Sequence, residues 1–258
     1  MGILNVTPDS FSDGGQHFSL DAAVQHGLGM VRDGADIIDV GGESTRPGSL
    51  PVGLDEELRR VVPVVAALAA QTSVPISVDT SKPEVARESL RAGAAIINDV
   101  TALQNAEMVA VTREYHAGVI LMHMQGTPQT MQVAPRYDDV VREVGEFFDK
   151  RLAALFKAGI SADQLAIDPG IGFGKMFEHT LAQLRSLREL QRFGRPVCLG
   201  VSRKGFIGQI TGRPRQERVA GSLAVLCHGL AAGSVQIARV HDVAPTVDAI
   251  KVFEALSP

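Results

Sequence analysis

The chain has 258 residues, 45% of them hydrophobic and 21% charged, with a formal net charge of -4. That is the balance of a soluble globular protein, and the length suits one domain spanning residues 1–258. A net acidic chain without a basic block argues against nucleic acid as a partner. No run approaches the roughly 18 apolar residues that cross a membrane, and no signal peptide precedes the first strand. Two cysteines, Cys198 and Cys227, are too few for a disulfide framework. Both sit in apolar segments, so buried, reduced thiols in a cytoplasmic protein are expected.

Met1–Leu4 is a short apolar run that stops at Asn5. A polar, Gly-rich loop, Val6 to Phe18, follows, and Ser19 or Asp21 can cap a helix over Ala22–Arg32. Ala35–Val40 is the second strand, with a second long loop over Glu43–Gly53 and a helix over Asp55–Ala70. Val74–Val78 is strand three, and Lys82-Pro83 starts a helix with proline near its first position. Ala95–Ile97 is strand four, with a helix over Ala106–His116. Val119–Met122 is strand five, before the longest helix, Tyr137–Lys157. Leu165–Ile167, Pro196–Val201 and Val235–Ala238 are strands six to eight, and Val247–Leu256 is the last helix.

The strand cores, such as Ile37-Ile38, Ile96-Ile97 and Val119-Ile120-Leu121, are apolar throughout. Parallel strands buried on both faces look like that, whereas half-exposed antiparallel strands alternate. Eight strand–helix units in this length predict a (β/α)8 TIM barrel, an α/β fold, over the open doubly wound sheet. In such a barrel the C-terminal strand ends converge on one mouth, where the chemistry sits. Those endings are Asn5, Asp39-Val40-Gly41-Gly42, Asp79, Asn98-Asp99, His123, Asp168, Ser202 and Arg239.

One Asp at a strand end is often a cap or loop anchor. Four carboxylates and an amide at one mouth can read the adjacent amino and ring N–H groups of a pterin or purine. Ser202-Arg203-Lys204 and Arg239-Val240-His241-Asp242 follow strands seven and eight, the usual phosphate position of this fold. Arg46, between hydroxyl residues and Pro47-Gly48, can clamp a phosphate with its fork of donors. With Lys204, Arg239 and His241 it makes a cationic cluster that focuses an anion into an otherwise acidic protein.

Two other motifs fail on inspection. Gly170-Ile171-Gly172-Phe173-Gly174-Lys175 resembles a phosphate loop, but Pro169 and Met176 stand where the Walker pattern needs Gly and Ser or Thr. Its glycines are expected to shape the loop beside Asp168. The seven histidines show no zinc spacing, so a metal here is expected to be Mg2+ on oxygen ligands and substrate phosphates.

The motifs together resemble one family. The opening Met1-Gly2-Ile3-Leu4-Asn5-Val6-Thr7-Pro8-Asp9-Ser10-Phe11-Ser12-Asp13-Gly14-Gly15 and the second motif Asp39-Val40-Gly41-Gly42-Glu43-Ser44-Thr45-Arg46-Pro47-Gly48 are similar to signatures of the bacterial dihydropteroate synthases. Ser77-Val78-Asp79-Thr80, Ile97-Asn98-Asp99-Val100 and the motifs at 168–175, 202–204 and 239–242 continue the pattern in order. The resemblance implies condensation of 6-hydroxymethyl-7,8-dihydropterin diphosphate with 4-aminobenzoate to 7,8-dihydropteroate and diphosphate.

It further implies that Asp79, Asn98, Asp168, Lys204 and Arg239 hold the pterin. Asn5, Arg46, Arg239 and His241 would hold the diphosphate, with Asn5 as the Mg2+ ligand. Thr45, Pro47, Ser202, Lys204, Phe11 and Phe173 would form the 4-aminobenzoate pocket, where sulfonamides compete in the family. Asp79, Lys204, Arg239 and Asn5 are the catalytic candidates, and a homodimer is expected. The family usually carries a segment before the first motif, so strand one is expected to be short. The alternatives are a silent pterin-binding paralogue, a pterin-dependent methyltransferase domain and a non-enzymatic barrel. The first two lack a need for intact diphosphate and aminobenzoate loops, and the third leaves the polar strand ends unexplained.

Overall fold

A computed structural model describes residues 1–7, 20–44 and 48–257. Eight strands alternate with helices: β1 (Gly2–Asn5), α1 (Leu20–Arg32), β2 (Ile38–Gly41), α2 (Leu54–Ala69), β3 (Ile76–Asp79), α3 (Pro83–Arg91), β4 (Ile96–Asp99) and α4 (Ala106–Tyr115) come first. Then follow β5 (Gly118–Met122), α5 (Val140–Lys157), β6 (Leu165–Asp168), α6 (Phe177–Arg185), β7 (Cys198–Leu199), α7 (Gly205–Thr211), α8 (Val219–Ala231), β8 (Ile237–Ala238) and α9 (Val243–Leu256).

Strands β1 to β6 pair in parallel and in chain order, as do β7 and β8. Two parallel bridges, Ile167↔Val197 and Gly2↔Val240, join these sheets into a ring. Ile3 N donates to Val240 O at 2.9 Å, and Val240 N donates to Met1 O at 3.0 Å. The eight-stranded barrel therefore closes, as expected.

Successive residues of a strand point to opposite sides, and this parity organises the molecule. Leu4, Ile38, Val40, Ile76, Val78, Ile97, Val119, Leu121, Leu165, Ile167 and Leu199 are buried in the cluster formed with the helices. Met1, Ile120, Ala166 and Cys198, with Ile37, Ile96 and Ile237, form a separate apolar floor. Two residues further along the same strands stand Ile3, Met122, Asp168 and Gly200, and Asn98 and Arg239 beside them; all six line the cavity above that floor. β1 has four residues, as do β2, β3, β4 and β6.

Several ends differ from expectation. α5 starts at Val140, because Asp139 accepts from Val141 N and Arg142 N, both at 3.0 Å. α9 starts at Val243, four residues early, since a proline in the first turn (Pro245) loses no helical hydrogen bond. The eight strand–helix units imply helices after β6 and β7; these are α6 and then both α7 and α8, one helix more than the repeat requires. Cys227 is half-buried, whereas Cys198 is buried as expected, and both thiols are free.

Candidate active site

The mouth of the barrel opens on a cavity of about 700 Å3. Asn5, Asp79, Asn98, Asp168, Phe173, Ser202, Lys204, Arg239 and His241 all line it, so nine of the expected site residues are brought together. Phe11, Thr45, Arg46 and Pro47 lie outside the described residues.

A buried ion-pair network forms the base of the site. Arg239 Nε donates to Asp39 Oδ2, and its Nη2 to Asp79 Oδ2, each at 2.6 Å. Asn98 Nδ2 donates to the same Asp39 oxygen at 3.1 Å. One guanidinium thus serves two carboxylates. Burial pulls its pKa down, but Asp39 and Asp79 outweigh that and the net shift is upward. Burial raises Asp79 above the ordinary carboxylate range, against the pull of Arg239 and with the push of Asp39. Asp39 is fully buried and lies below the cavity, so its role is to hold Arg239 and Asn98.

Asp99 belongs to a different face. It accepts from Thr101 N and Leu103 N, both at 2.8 Å, and so anchors the turn after β4. Adjacent residues of one strand thus divide the work: Asn98 points into the barrel and Asp99 ties a loop.

The β6–α6 loop forms another wall. Gly170, Gly172 and Gly174 all have positive φ, which fits the expectation that they shape the loop. A Cβ on Gly170 would lie 1.9 Å from the His123 carbonyl oxygen, so no side chain fits. Gly170 N donates to Asp168 Oδ1 at 2.7 Å, and burial raises the Asp168 pKa while Lys204 lowers it. Lys204 Nζ donates to Ile171 O and stands 4.4 Å above the Phe173 ring. Burial pushes Lys204 down to about 8, with Asp168 opposing. Arg203, just before it, adopts φ 57°, a strained turn that sets the start of α7.

Lys175 was missed as a site residue. It is buried and reaches His123 Nδ1 at 3.0 Å, Gly170 O at 2.9 Å and Phe173 O at 3.1 Å. It therefore binds the end of β5 to the glycine loop and so places Phe173. Burial brings its pKa down to about 7, and burial with Lys175 takes His123 to about 3. The Gly-x-Gly-x-Gly-Lys motif was the available signal; its lysine serves carbonyls where a phosphate loop would serve phosphate.

His241 and Ser202 face each other across β8 and β7. Ser202 Oγ accepts from His241 N at 3.1 Å and lies 3.0 Å from His241 Nδ1. With the hydroxyl donating to Nδ1, the ring proton stands on Nε2. Burial, with Arg215 and Arg239, takes His241 to about 4, so the ring is neutral at pH 7. On the opposite rim Lys82 Nζ bridges Glu43 (2.6 Å) and the fully buried Glu57, and Glu43 accepts from Val52 N at 3.0 Å. This tie fixes both ends of the β2–α2 loop to the barrel, another arrangement sequence reasoning did not find.

Chemically, the cavity pairs carboxylates and an amide at depth with lysine, arginine and a neutral histidine at its edge. Depth suits a donor-rich heterocycle and the edge an anion. The profile of a family described as pterin binding enzyme matches residues 1–241. A dihydropteroate synthase of Escherichia coli K12 is 53% identical over 256 residues, covering 99% of this chain and 90% of the relative. One from Synechocystis is 46% identical, covering 99% and 89%. A Yersinia pestis dihydropteroate synthase solved with a sulfonamide drug complex superposes with a TM-score of 0.93 at 49% identity, covering 98% of this chain and 92% of that one. A Xanthomonas albilineans dihydropteroate synthase solved with 7,8-dihydropteroate has a TM-score of 0.90 at 47% identity, covering 100% and 93%. The chain belongs to the pterin binding enzyme family and groups there with the dihydropteroate synthases.

Proposed function

We propose that the chain is a dihydropteroate synthase, an enzyme that joins 6-hydroxymethyl-7,8-dihydropterin diphosphate to 4-aminobenzoate. The observation that carries this is the Asp79–Arg239–Asp39–Asn98 network beneath a cavity whose edge holds Lys204, Ser202 and His241. Asp79, Asn98 and Asp168 take the pterin's amino and ring N–H groups, with Lys204 donating to a ring acceptor. Arg239, charged and held flat by two carboxylates, bounds the ring. Arg46, Asn5 and His241 Nε2 hold the diphosphate, and Ser202, Lys204 and Phe173 with Phe11, Thr45 and Pro47 form the amine pocket.

The bond between the pterin methylene carbon and the diphosphate oxygen breaks, and its electron pair leaves with diphosphate. The electron-rich ring spreads the positive charge, and Asp79 and Asp168 offset it. The amine lone pair then forms the C–N bond and its proton passes to solvent. The chain therefore needs no activated nucleophile of its own. Among the described residues no group of three His, Cys, Asp or Glu could cage a metal. One amide oxygen, that of Asn5 at the cavity edge, fits Mg2+, which keeps waters and takes phosphate oxygens as ligands. Bound Mg2+ supplies charge neutralisation to the leaving diphosphate.

The test is diphosphate release from the pterin substrate with Mg2+, with and without 4-aminobenzoate. Release that tracks dihydropteroate formation, and that stops with chelator, is expected. A folded protein that binds pterin yet releases nothing would be the silent paralogue instead.

A homodimer and a cytoplasmic setting are part of this reading. α8 is apolar apart from a buried Ser222 and an exposed His228, with Ala220, Ala224 and Ala231 exposed, and Ile210 of α7 is 59% exposed. A helix apolar over most of its faces is commonly a buried one, so a second copy is the cover proposed for this face. Sedimentation equilibrium should give twice the chain mass; a monomer at micromolar concentration rejects the dimer. Among the described residues no helix is long and apolar enough to cross a membrane, and both thiols are free, as in a reducing compartment.

A further inference from the structure

Between α7 and α8 a short 3-10 turn, Arg215–Glu217, brings a group of arginines to the rim of the cavity. Arg203 pairs with Asp242, its Nε donating at 2.9 Å. Arg213 pairs with Glu217 at 2.9 Å in the solvent. Arg218 is spent on backbone: its Nε donates to Arg213 O at 2.9 Å, and its Nη1 lies 3.4 Å from Arg203 O and Lys204 O. A Cβ on Gly208 would sit 2.2 Å from the Arg218 Nη2 atom, so a side chain there would shift that clamp. Arg218 thus fastens the turn to the same backbone that carries Lys204.

Arg215 stands on that fastened turn, half-buried, and lines the cavity with Ser202, Lys204, Gln209 and His241. Its charge is felt at His241, where it is the second cause, after burial, that lowers the ring's pKa. No motif that led to the site includes it.

We propose that Arg215 is a further oxyanion-binding residue of this site, taking either the diphosphate or the carboxylate of 4-aminobenzoate at the rim. This rests on the functional reading above for the identity of the anions. A guanidinium presents two parallel donors in a rigid fork, which suits either anion.

The test compares Arg215→Gln and Arg215→Lys with Arg213→Gln as a control of equal charge change outside the cavity. Inorganic diphosphate is titrated calorimetrically into each protein, and KM for 4-aminobenzoate is measured at saturating pterin diphosphate. Losing a charge-assisted bond is expected to weaken one of the two about tenfold in Arg215→Gln, with partial recovery in Arg215→Lys and no change in Arg213→Gln. A weaker diphosphate titration assigns the residue to diphosphate. A raised KM with an unchanged titration assigns it to the carboxylate. Both within twofold of wild type overturns the proposal. If the wild-type protein makes no dihydropteroate, the functional reading fails, and the diphosphate titration alone then decides the role of Arg215.

Discussion

Arg239→Met is expected to lower the thermal midpoint by about 10 °C at pH 8 and to abolish turnover. Arg239 is the shared partner of Asp39, fully buried, and Asp79. Removing one member of such a buried network strands the others and costs about 3–5 kcal/mol. In a domain of this size each kcal/mol moves the midpoint by about 2–4 °C. With the cation gone, one of the two carboxyls is stabilised in its protonated form, so its folded pKa stands above its unfolded one. That proton-linked stability is present at low pH and is lost as pH rises through the folded value. The loss at pH 8 should therefore exceed that at pH 5.5. Adding Asp39→Asn removes the surplus charge and should return most of the midpoint without returning activity. A midpoint within 2 °C of wild type for the single variant at pH 8, measured by calorimetry, would show that the network bears no stability.

Asp79→Asn should do the reverse: a loss of about 10²–10³ in kcat/KM for the pterin diphosphate with the fold retained. Arg239 keeps Asp39 as its partner in that variant, so no buried charge is stranded. The pterin loses more. A carboxylate accepts two adjacent N–H groups, each charge-assisted bond being worth about 1.5–3 kcal/mol. An amide offers one acceptor and turns an N–H donor toward the other. About 3–4 kcal/mol of lost complementarity is the stated range of rate loss, at about 1.4 kcal/mol per tenfold.

The pH profile adds an independent reading. Wild-type kcat/KM should fall in acid with a limb above the ordinary carboxylate range, because burial raises Asp79. It should fall again in base as Lys204 loses its proton near pH 8. In the Asn variant the contribution of Asp79 to the acid limb should go, leaving that of Asp168, while the basic limb remains. Near-normal turnover of Asp79→Asn would refute an essential pterin-anchoring carboxylate.

The barrel was legible because each strand carries its own signature. Apolar runs ending in Asn5, Asp79, Asn98, Asp168 or Arg239 state both the strand and its functional end within a few residues. Asp99 shows what a closer use of the period of two would have added: beside Asn98, it must face the other side. α6 to α8 were less legible. α8 is largely apolar and has glycine within it, so it lacks the one-sided stripe by which a surface helix is recognised.

Amino-acid order alone determined the strand–helix alternation, the parity that sends alternate residues inward, and the glycines that let the loop beside Asp168 turn. Those depend on neighbours along the chain. Only the tertiary structure decided that Arg239 is shared by Asp39 and Asp79, 200 and 160 residues away. It also decided that Lys175 serves His123 and loop carbonyls, and that Arg203, Arg215 and Arg218 line the cavity whereas Arg213 does not. Ring closure sets these pairings, and a charge several elements away leaves no mark on the local pattern that a sequence displays.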